Sequence, residues 1–544
     1  GVDLDTRAKQ LATFALMLKA CQKDASFADA HILPHVLSMP TPIQQEKVRE
    51  YLQKFFRETP SRQQLTDLTA AFELMQDADS LGSIMKFDMS ESTLLSIRQT
   101  LDYWQHEQFI PSEVEEVIPA MELILTLTDK YAALVMNPPY MGSGNMNETL
   151  SNYVKRNYEE GKADLFSTFM LLAIDSLADN GKYGMINMHS WMFLSSFEKL
   201  RRSLLDNHHI DSLLHLGPRT FDELSGEVVQ NAAFVVSKVN YASVSSKETN
   251  SSQGGNNSFP AGEQNVPKVG TNGEAHSNNA GTYFRLVDGK NCSDKERMFL
   301  DAQANFTAQV YYSNVGQVNF EKIPGCPIAY WVSESILSVY ENSKSIGDKA
   351  QFKRGIGTGD NDRFLRLWPE VSISKIGISE QDKSAKWQKY NKGGSFRKWF
   401  GNRDYIINWE NDGEAIINNY LPNGKQASRP QNLQYNYRKN ISYSSLTSMT
   451  PSFRMYKDFL NDQAGNYFIV NDDADFFYML GMLNSNLSPY FKDIKNVTLN
   501  ITADDLLAIP FIVQRREEIE TIVQSNISIS KLDWDSHETS WDFE

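Results

Sequence analysis

Four consecutive residues, Asn137, Pro138, Pro139 and Tyr140, could together hold a flat ring that bears an amino group. The Asn137 side-chain oxygen and the Pro138 carbonyl are two hydrogen-bond acceptors with no donor between them, because proline has no N–H. Two adjacent acceptors suit an amine with two N–H bonds, and the Tyr140 face suits a stacked base, worth about 1–3 kcal/mol. The tetrapeptide therefore predicts a site for an exocyclic amine, and adenine fits it. The alternative is a proline-rich turn after a core strand.

The elements around this tetrapeptide predict an α/β fold. Residues 131–136 form an apolar run typical of a buried strand, and a loop-forming stretch follows. The tetrapeptide would then lie at the carboxyl end of a strand, where open α/β sheets bind their ligands. An apolar helix is predicted over 164–174, with a C-cap at 180–182. Further strands are predicted over 183–188, 210–216, 228–239 and 282–287, and their alternation with helices favours a parallel sheet covered on both faces.

The first residues carry a second candidate site. Residues 1–5 alternate apolar residues with acids, and an apolar pattern at helical spacing follows over 6–20. A strand that ends in an acid and leads into a helix is typical of nucleotide-binding folds, where the carboxylate accepts hydrogen bonds from ribose hydroxyls. The alternative is an ordinary strand end with a helix-capping acid. A strand over 31–39 and several helices over 42–130 are predicted next.

Composition restricts the location and the partners of the chain. Its 544 residues include only three cysteines, which lie far apart without CxxC spacing. This argues against a zinc site or a disulfide framework and favours a reducing compartment. No apolar run approaches the ~18–20 residues that cross a membrane. We therefore predict a cytoplasmic protein with no metal and no membrane contact.

The charge distribution predicts a local binding surface for nucleic acid. The formal net charge of −15 would repel a polyanion if it were spread evenly. Residues 383–403, however, contain seven Lys or Arg residues, no acid and several interleaved aromatic residues, which suits a phosphate backbone and unstacked bases. The alternative is a solvated loop with a few buried rings. The candidate DNA-binding residues are Lys353, Arg354, Lys389, Lys392, Arg397, Lys398 and Arg403.

Taken together, these segments resemble a known family. GVDLD, NPPY, ADLFSTFMLLAI and GKYGMINMHSWM, in this order, resemble the gamma-class adenine DNA methyltransferases. RGIGTGDNDRFL, YNKGGSFRKWFGN, LGMLNSNLSPYF and AIPF are similar to the target-recognition part of single-chain type II restriction-modification enzymes. With the closing KLDWDSHETSWDF, the resemblance is greatest to the adenine methyltransferases of bacterial BREX phage-exclusion systems.

The resemblance implies S-adenosylmethionine as methyl donor and an adenine flipped out of double-stranded DNA as substrate. It implies that Asp3 binds the donor's ribose and that Leu4 packs on the donor's adenine. Asn137 and Pro138 would hold the target amine, Tyr140 would stack on one face of the base, and Phe221 would resemble the aromatic residue on the other face. Other phage-defence proteins become candidate partners.

Two departures from the family pattern bear on the cofactor site. The family's glycine-rich first motif is absent and should precede Gly1, so we expect a fragment of a longer protein that binds the donor poorly on its own. The family's adenine-side acidic motif is also unclear, with residues 38–39 and 77–83 as candidates.

The predicted organisation is a Rossmann-like methyltransferase sheet, incomplete at its N-terminus, followed by an α+β target-recognition domain. The catalytic domain would occupy 1–330, with a disordered loop at about 241–281 between two adjacent strands. The recognition domain would occupy 331–515, and a helical tail 516–544. Three other functions stay open: a protein glutamine methyltransferase, a non-catalytic DNA-recognition subunit of a defence complex, and a fused restriction enzyme whose nuclease lies outside this chain.

Overall fold

The computed structural model describes residues 1–30, 32–221, 229–239, 280–306, 309–378, 382–444, 451–495 and 502–543. The chain forms two compact units. The first comprises Gly1–Trp191 and Ser196–Gln317, and the second Met192–Ser195 and Val318–Glu544. The sequence patterns place the first domain boundary at residue 330, whereas the chain passes from one unit to the other after Gln317. Most of the loop predicted at 241–281 lies outside the described residues.

The first unit begins with two short parallel strands, β1 (Val2–Asp3) and β2 (Leu37–Ser38), joined through helix α1 (Thr6–Lys23). The strand predicted over 31–39 is therefore limited to two residues. No residue of α1 is buried, and its Leu11 and Phe14 side chains are exposed. The apolar pattern thus predicted this helix correctly, although the apolar side chains of α1 are not buried in a core.

A layer of helices separates β2 from the next strand. Its helices are α2 (Gln45–Phe56), α3 (Arg62–Leu74), α4 (Ala78–Leu81), α5 (Glu91–His106) and α6 (Ser112–Thr128). Side chains at helical spacing, such as Leu52, Phe55 and Leu68, have no exposed surface and form one core. Helix α3 begins at a capping box in which Ser61 accepts from the Gln64 N–H and Gln64 accepts from the Ser61 N–H. The prediction of helices in this region is confirmed.

The main sheet of the first unit has six strands and carries the tetrapeptide. The strands are β3 (Tyr131–Met136), β4 (Leu177–Met188), β5 (His208–Gly217), β6 (Asn231–Lys238), β7 (Ala280–Arg285) and β8 (Tyr311–Gly316). Their order is β3-β4-β6-β5-β7-β8. The helices along this part are α7 (Glu148–Asn157), α8 (Leu165–Ser176), α9 (Glu198–Asn207) and α10 (Cys292–Asn305). The predicted α/β fold class is confirmed.

Three details of the prediction for this sheet are wrong. The sheet is mixed, not parallel, because β6 is antiparallel to both β4 and β5, and β8 is antiparallel to β7. An apolar run predicts a strand but carries no information on its direction. Strand β5 also lies between β6 and β7, so these two strands are not adjacent. Finally, α8 ends at Ser176, and residues 180–182 belong to β4 and do not cap the helix.

Strand β3 differs from the prediction in its burial. Among the described residues it pairs only with β4 and forms an edge of the sheet, and its Val135 side chain is 88% exposed. The apolar composition that predicted a buried strand thus identified the strand correctly but not its surroundings. The carboxyl end of β3, where the tetrapeptide begins, nevertheless lies beside the carboxyl end of its parallel neighbour β4.

The second unit contains two sheets. One has the order β15-β14-β17-β9, and the other has the order β10-β13-β12-β11 with β16 beside β12. The strands are β9 (Ala350–Lys353), β10 (Leu365–Leu367), β11 (Ile376–Gly377), β12 (Trp387–Asn391), β13 (Tyr405–Asn408), β14 (Asn440–Ser444), β15 (Phe453–Tyr456), β16 (Leu460–Asn461) and β17 (Gly465–Val470). Antiparallel strand pairs predominate, although β12 is parallel to both β11 and β16, and this mixture of strands and helices agrees with the α+β prediction.

Nine helices complete the described part of the second unit. They are α11 (Val318–Glu321), α12 (Glu334–Asn342), α13 (Ile346–Lys349), α14 (Asn361–Phe364), α15 (Glu410–Ile417), α16 (Phe476–Asn484), α17 (Leu487–Lys495), α18 (Ala503–Leu507) and α19 (Arg516–Asp535). Helix α19 packs on α16 through Val523 and Ile527, which are buried in the same core as Met479. In the described residues of both units, no helix is both long and apolar enough to cross a lipid bilayer.

Candidate active site

The tetrapeptide lies directly after β3, as predicted. The Asn137 side chain is exposed and makes no hydrogen bond to the described residues, Pro138 is buried, and Tyr140 is 38% exposed. An amide without a partner can accept a hydrogen bond from a ligand at no cost to an existing contact. The burial of Pro138 anchors the loop between these two available side chains.

The loop after the tetrapeptide is attached to the beginning of α8. The Met141 N–H donates to Asp164 Oδ1 at 3.0 Å, and the Met141 carbonyl accepts from the Leu165 N–H at 3.0 Å. The Asp164 carboxylate also caps α8 by accepting from the Phe166 N–H at 3.3 Å. Burial raises the pKa of Asp164 above its ordinary value. One half-buried carboxylate therefore holds both the helix end and the chain directly after Tyr140.

A glycine makes this attachment compact. A Cβ atom on Gly161 would lie 2.7 Å from the Ser167 carbonyl oxygen, closer than van der Waals contact allows. The Ser167 hydroxyl donates to the Gly161 carbonyl at 2.6 Å and accepts from the Asp164 N–H at 3.3 Å. Gly161 thus allows the chain to pass close to the first turn of α8.

The Tyr140 ring is held from two sides. It meets the Phe166 ring edge to face, with ring centroids 6.1 Å apart and an interplanar angle of 85°. Its hydroxyl accepts a hydrogen bond from Asn231 Nδ2 at 3.0 Å, and the same Nδ2 donates to the Asn187 carbonyl at 3.3 Å. Burial raises the pKa of Tyr140, so the ring carries a neutral phenol at physiological pH. The face offered to a base is therefore positioned in advance of any ligand.

The sequence analysis missed Asp164, Asn187 and Asn231 as contributors to this site. Asp164 could have been found, because an acid directly before an apolar helix is a typical N-cap. Asn231 could not, because it begins an antiparallel strand. Such a strand starts at the edge where its neighbours end, and only the register with β4 and β5 places Asn231 there.

Two buried histidines lie at the same edge of the sheet. His189 Nδ1 and His215 Nε2 are 2.9 Å apart, and both rings are almost fully buried. Burial lowers the pKa of His189 to about 4 and lowers that of His215 well below its ordinary value. Both rings are therefore neutral at physiological pH, and one donates to the other. Among the described residues, no group of His, Cys, Asp and Glu side chains could hold a metal ion.

Asp3 and Leu4 lie at the carboxyl end of β1. Asp3 is exposed, and its Oδ1 accepts from the Asp5 N–H at 3.0 Å. The acid that caps α1 is Asp5, which accepts from the Arg7 N–H at 2.6 Å, so the helix-capping alternative holds for Asp5, and the ribose-binding role of Asp3 stays a prediction. Leu4 is 57% exposed. A free carboxylate oxygen for ribose hydroxyls beside an exposed apolar side chain suits the nucleoside part of S-adenosylmethionine.

The two candidate segments for the adenine-side motif both lie beside this pair. Ser38 pairs with Asp3 across the parallel strands β1 and β2. The Leu4 side chain lies 3.1 Å from the position that a Cβ on Gly82 would occupy, and Gly82 has a φ of +54°. Both segments therefore remain candidates for the adenine-side acidic motif.

Phe221 is exposed in the connection between β5 and β6, next to residues outside the described part. No ring contact joins it to Tyr140 among the described residues. Its role as the second stacking residue stays a prediction.

The candidate DNA-binding residues of the second unit differ in their availability. Lys392 pairs with Asp462 at 2.9 Å, and Arg397 pairs with Asp533 at 3.0 Å. Arg354, by contrast, is exposed, and its side chain forms no ion pair or hydrogen bond with the described residues. The structure therefore offers Arg354 most directly to a polyanion.

The other four cations have contacts within their own unit. The Lys353 ammonium lies 4.5 Å from the centre of the Tyr435 ring. The amines of Lys389 and Lys398 donate to backbone carbonyls. The Arg403 guanidinium stacks on Phe400 at 3.7 Å, and burial lowers the pKa of Arg403. Arg403 thus contributes to packing, as the buried-ring alternative predicted for part of this stretch.

The aromatic residues of 383–403 also divide into buried and exposed side chains. Tyr390 has no exposed surface, and Phe400 is 4% exposed, whereas Phe396 is 47% exposed. Tyr390 and Phe400 belong to the interior, so neither ring can stack on a base. The predicted basic, aromatic surface is therefore smaller than the sequence suggests.

Comparison with known proteins found a matching family model and two similar curated proteins. Residues 1–221 match the model of the Eco57I restriction-modification methylase family. A distant structural likeness is found to the Type IIL restriction-modification enzyme MmeI in complex with DNA. It has a TM-score of 0.44 and 10% identity, and covers 76% of this chain and 50% of that one. At this distance the likeness supports no inference.

Two curated proteins match the whole chain. The adenine-specific methyltransferase PglX of Lacticaseibacillus casei (strain Zhang) is 33% identical over 558 residues, which cover 100% of this chain and 43% of that protein. The adenine-specific methyltransferase BrxX of Escherichia coli O9:H4 (strain HS) is 32% identical over 574 residues, with the same coverage. The chain thus spans less than half the length of these relatives. Over its whole length the chain is thus similar to two proteins named as adenine-specific methyltransferases, PglX and BrxX.

Proposed function

We propose that the chain is part of a site-specific DNA adenine-N6 methyltransferase that uses S-adenosylmethionine and marks host DNA in a phage-defence system of BREX or restriction-modification type. The observation that carries this proposal is the arrangement at the end of β3. There the unpartnered Asn137 amide and the anchored Pro138 stand beside a Tyr140 ring already fixed by Asn231. The whole protein would act in the cytoplasm on double-stranded DNA, with other defence proteins as candidate partners.

The residues suggest how the amine is presented. The amine lone pair of adenine is drawn into its ring, which makes it a poor nucleophile. Hydrogen bonds from both N–H groups to the Asn137 oxygen and the Pro138 carbonyl localise that pair and orient it. Asn137 is neutral and does not act as a general base, so positioning supplies most of the effect. Flipping the base costs a few kcal/mol, and stacking on Tyr140 offsets about 1–3 kcal/mol of it.

Asp3 and Leu4 would hold the methyl donor. The exposed Asp3 carboxylate would accept from the ribose hydroxyls, and the Leu4 side chain would cover one face of the adenine. When bound, the donor supplies a methyl group activated by a positively charged sulfur. The prolines keep the acceptors of the target amine in place relative to the end of β3.

DNA would be bound by cations of the second unit. Arg354 is the leading candidate because its side chain is exposed and pairs with none of the described residues. Lys353, Lys389, Lys392, Arg397 and Lys398 would contribute if their present contacts exchange for phosphate. Phe221 would cover the second face of the flipped base.

The test is Asn137→Ala in the full-length protein, with methyl transfer from radiolabelled S-adenosylmethionine to DNA as the readout. We expect transfer to be abolished and DNA affinity to be retained, because the change removes one acceptor of the amine and no phosphate contact. Asn145→Ala is the matched control, since Asn145 is exposed in the same loop and its side chain bonds to no described residue. Near-normal transfer by Asn137→Ala would refute the proposal.

The label also separates the other functions. A glutamine methyltransferase would label protein and leave DNA unlabelled, and a recognition subunit would bind DNA with no transfer. Sequencing host DNA with and without the intact gene would then give the methylated base and its site.

A further inference from the structure

We propose that Asn231 is a positioning residue for base flipping, which sets the angle of the Tyr140 ring through the tyrosine hydroxyl. This inference rests on the proposed function, because it assigns Tyr140 to the target base. Asn231 does not itself meet the base. It acts through one hydrogen bond, from its Nδ2 to the Tyr140 hydroxyl at 3.0 Å.

The donor in this hydrogen bond is determined by a second contact. The Asn231 atom that faces Tyr140 also lies 3.3 Å from the Asn187 carbonyl oxygen, which can only accept. That atom must therefore be Nδ2, and the Tyr140 hydroxyl must be the acceptor. The hydroxyl proton is then directed away from Asn231, and the lone pair toward Asn231 is occupied. If the phenol oxygen moved away, Asn231 Nδ2 would lose one of its two acceptors. The contact therefore holds the oxygen in place.

The second restraint on the ring makes the hydroxyl contact decisive. The Phe166 ring meets Tyr140 edge to face and packs on Phe197 with a centroid distance of 5.4 Å. This contact opposes rotation of the ring about its long axis, because turning the ring would end the edge-to-face geometry, but it leaves the hydroxyl end free to swing. The hydrogen bond at the far end of the ring stops that swing. Together the two contacts define a plane, which is what a stacked base requires.

The surroundings of Asn231 indicate that the arrangement is costly. Asn231 and Asn187 are 1% and 0% exposed, and the side-chain oxygen of each is buried without a hydrogen-bond partner among the described residues. Unpartnered buried polar atoms are unfavourable, so a pair of them beside one contact calls for an explanation. An apolar residue would be expected at the start of β6 if packing were the only requirement. Of these two side-chain amides, Asn231 is the one that reaches Tyr140.

The experiment is a double-mutant cycle between Tyr140→Phe and Asn231→Ala in the full-length protein. DNA carries 2-aminopurine at the adenine that the wild-type protein methylates, so its fluorescence reports flipping. Initial rates of methylation on the natural sequence give kcat and KM. Either single change removes the same hydrogen bond, so each should lower kcat about threefold to tenfold. The double variant should be no slower than the slower single variant.

Further variants separate positioning from folding. Asn231→Ser keeps a polar side chain that is too short to reach the hydroxyl. It should therefore lower kcat as much as Asn231→Ala does through the lost hydrogen bond. If Asn231→Ala folds poorly, Asn231→Ser replaces it in the cycle. Asn187→Ala removes a neighbouring buried amide without touching the hydroxyl, so its effect should multiply with that of Tyr140→Phe. The positioning role also predicts a changed fluorescence of the flipped 2-aminopurine in the Asn231 variants, with unchanged KM for S-adenosylmethionine.

Two outcomes would overturn the inference, and they differ. If the wild-type protein methylates adenine but the losses of Tyr140→Phe and Asn231→Ser multiply, Asn231 acts on the fold alone and the positioning role is wrong. If the wild-type protein does not methylate adenine at all, the proposed function fails and this inference fails with it.

Discussion

Removal of the Asp164 side chain should release the loop that carries the tetrapeptide. In Asp164→Ala, the Met141 N–H loses its acceptor, and α8 loses its N-cap. A lost N-cap costs about 0.5–2 kcal/mol. A lost hydrogen bond to a charged group costs about 1.5–3 kcal/mol. Because burial raises the pKa of Asp164, the carboxylate already carries a desolvation cost that the change removes. We therefore expect a loss near the lower end of the sum, about 2 kcal/mol.

We expect Asp164→Ala to loosen the tetrapeptide loop and the start of α8 before it affects the rest of the protein. Hydrogen exchange followed by mass spectrometry should show faster exchange at residues 137–146 and in the first turn of α8, because these amides lose their common acceptor. If the whole loss of about 2 kcal/mol is expressed in the transition state, methylation slows by about thirtyfold. Ser61→Ala is the control, since it removes the N-cap of α3 at a similar cost without touching the tetrapeptide. In Ser61→Ala the free energy of unfolding should fall, whereas the methylation rate should stay at the wild-type value.

Asp164→Asn adds a test by pH. Its amide oxygen can still accept from the Met141 and Phe166 N–H groups, so its stability should lie between those of the wild type and the alanine variant. The pKa of Asp164 is raised in the folded state, so the folded protein binds more protons than the unfolded chain between the two pKa values. The contribution of Asp164 to stability is therefore full below its unfolded pKa and declines as pH rises through the folded pKa. The wild type should lose stability relative to Asp164→Asn over that interval. Unchanged exchange at 137–146 together with a normal rate in Asp164→Ala would refute the reasoning.

Two further predictions concern the rest of the chain. Arg354→Ala should weaken DNA binding equally for all sequences and reduce the salt dependence of the binding constant by about one ion, whereas Arg403→Ala should lower the unfolding free energy because its guanidinium packs on Phe400. A salt titration of filter binding tests Arg354→Ala, and urea unfolding tests Arg403→Ala. A loss of stability in Arg354→Ala together with a loss of DNA affinity alone in Arg403→Ala would contradict these assignments. Burial alone would raise the pKa of Asp211, but hydrogen bonds from His209 and other neighbours lower it below its ordinary value. Asp211→Asn should therefore destabilise the protein at pH 7 and the loss should shrink below about pH 4, so a loss independent of pH in urea unfolding would contradict the assignment.

The amino-acid sequence alone determined the chemistry of the tetrapeptide and the type of most elements near it. Strand β3, helix α8 and the helical layer follow from apolar periodicity, which is a local property of the chain. The acceptors of the amine site are likewise local, because Asn137 and Pro138 are neighbours in sequence. Asp3 could be singled out for the same reason, because an acid at the end of a short strand and directly ahead of a helix is a local pattern.

Only the tertiary structure decided what surrounds these residues. The direction of β6 depends on which strands it pairs with, and this direction brings Asn231 to Tyr140 across 91 residues of chain. The division of the candidate DNA-binding cations into exposed and packed residues, as for Arg354 and Arg403, depends on which strands and helices cover them. Hydrogen-bond partners and burial are properties of contacts between distant segments, and neither composition nor spacing encodes them.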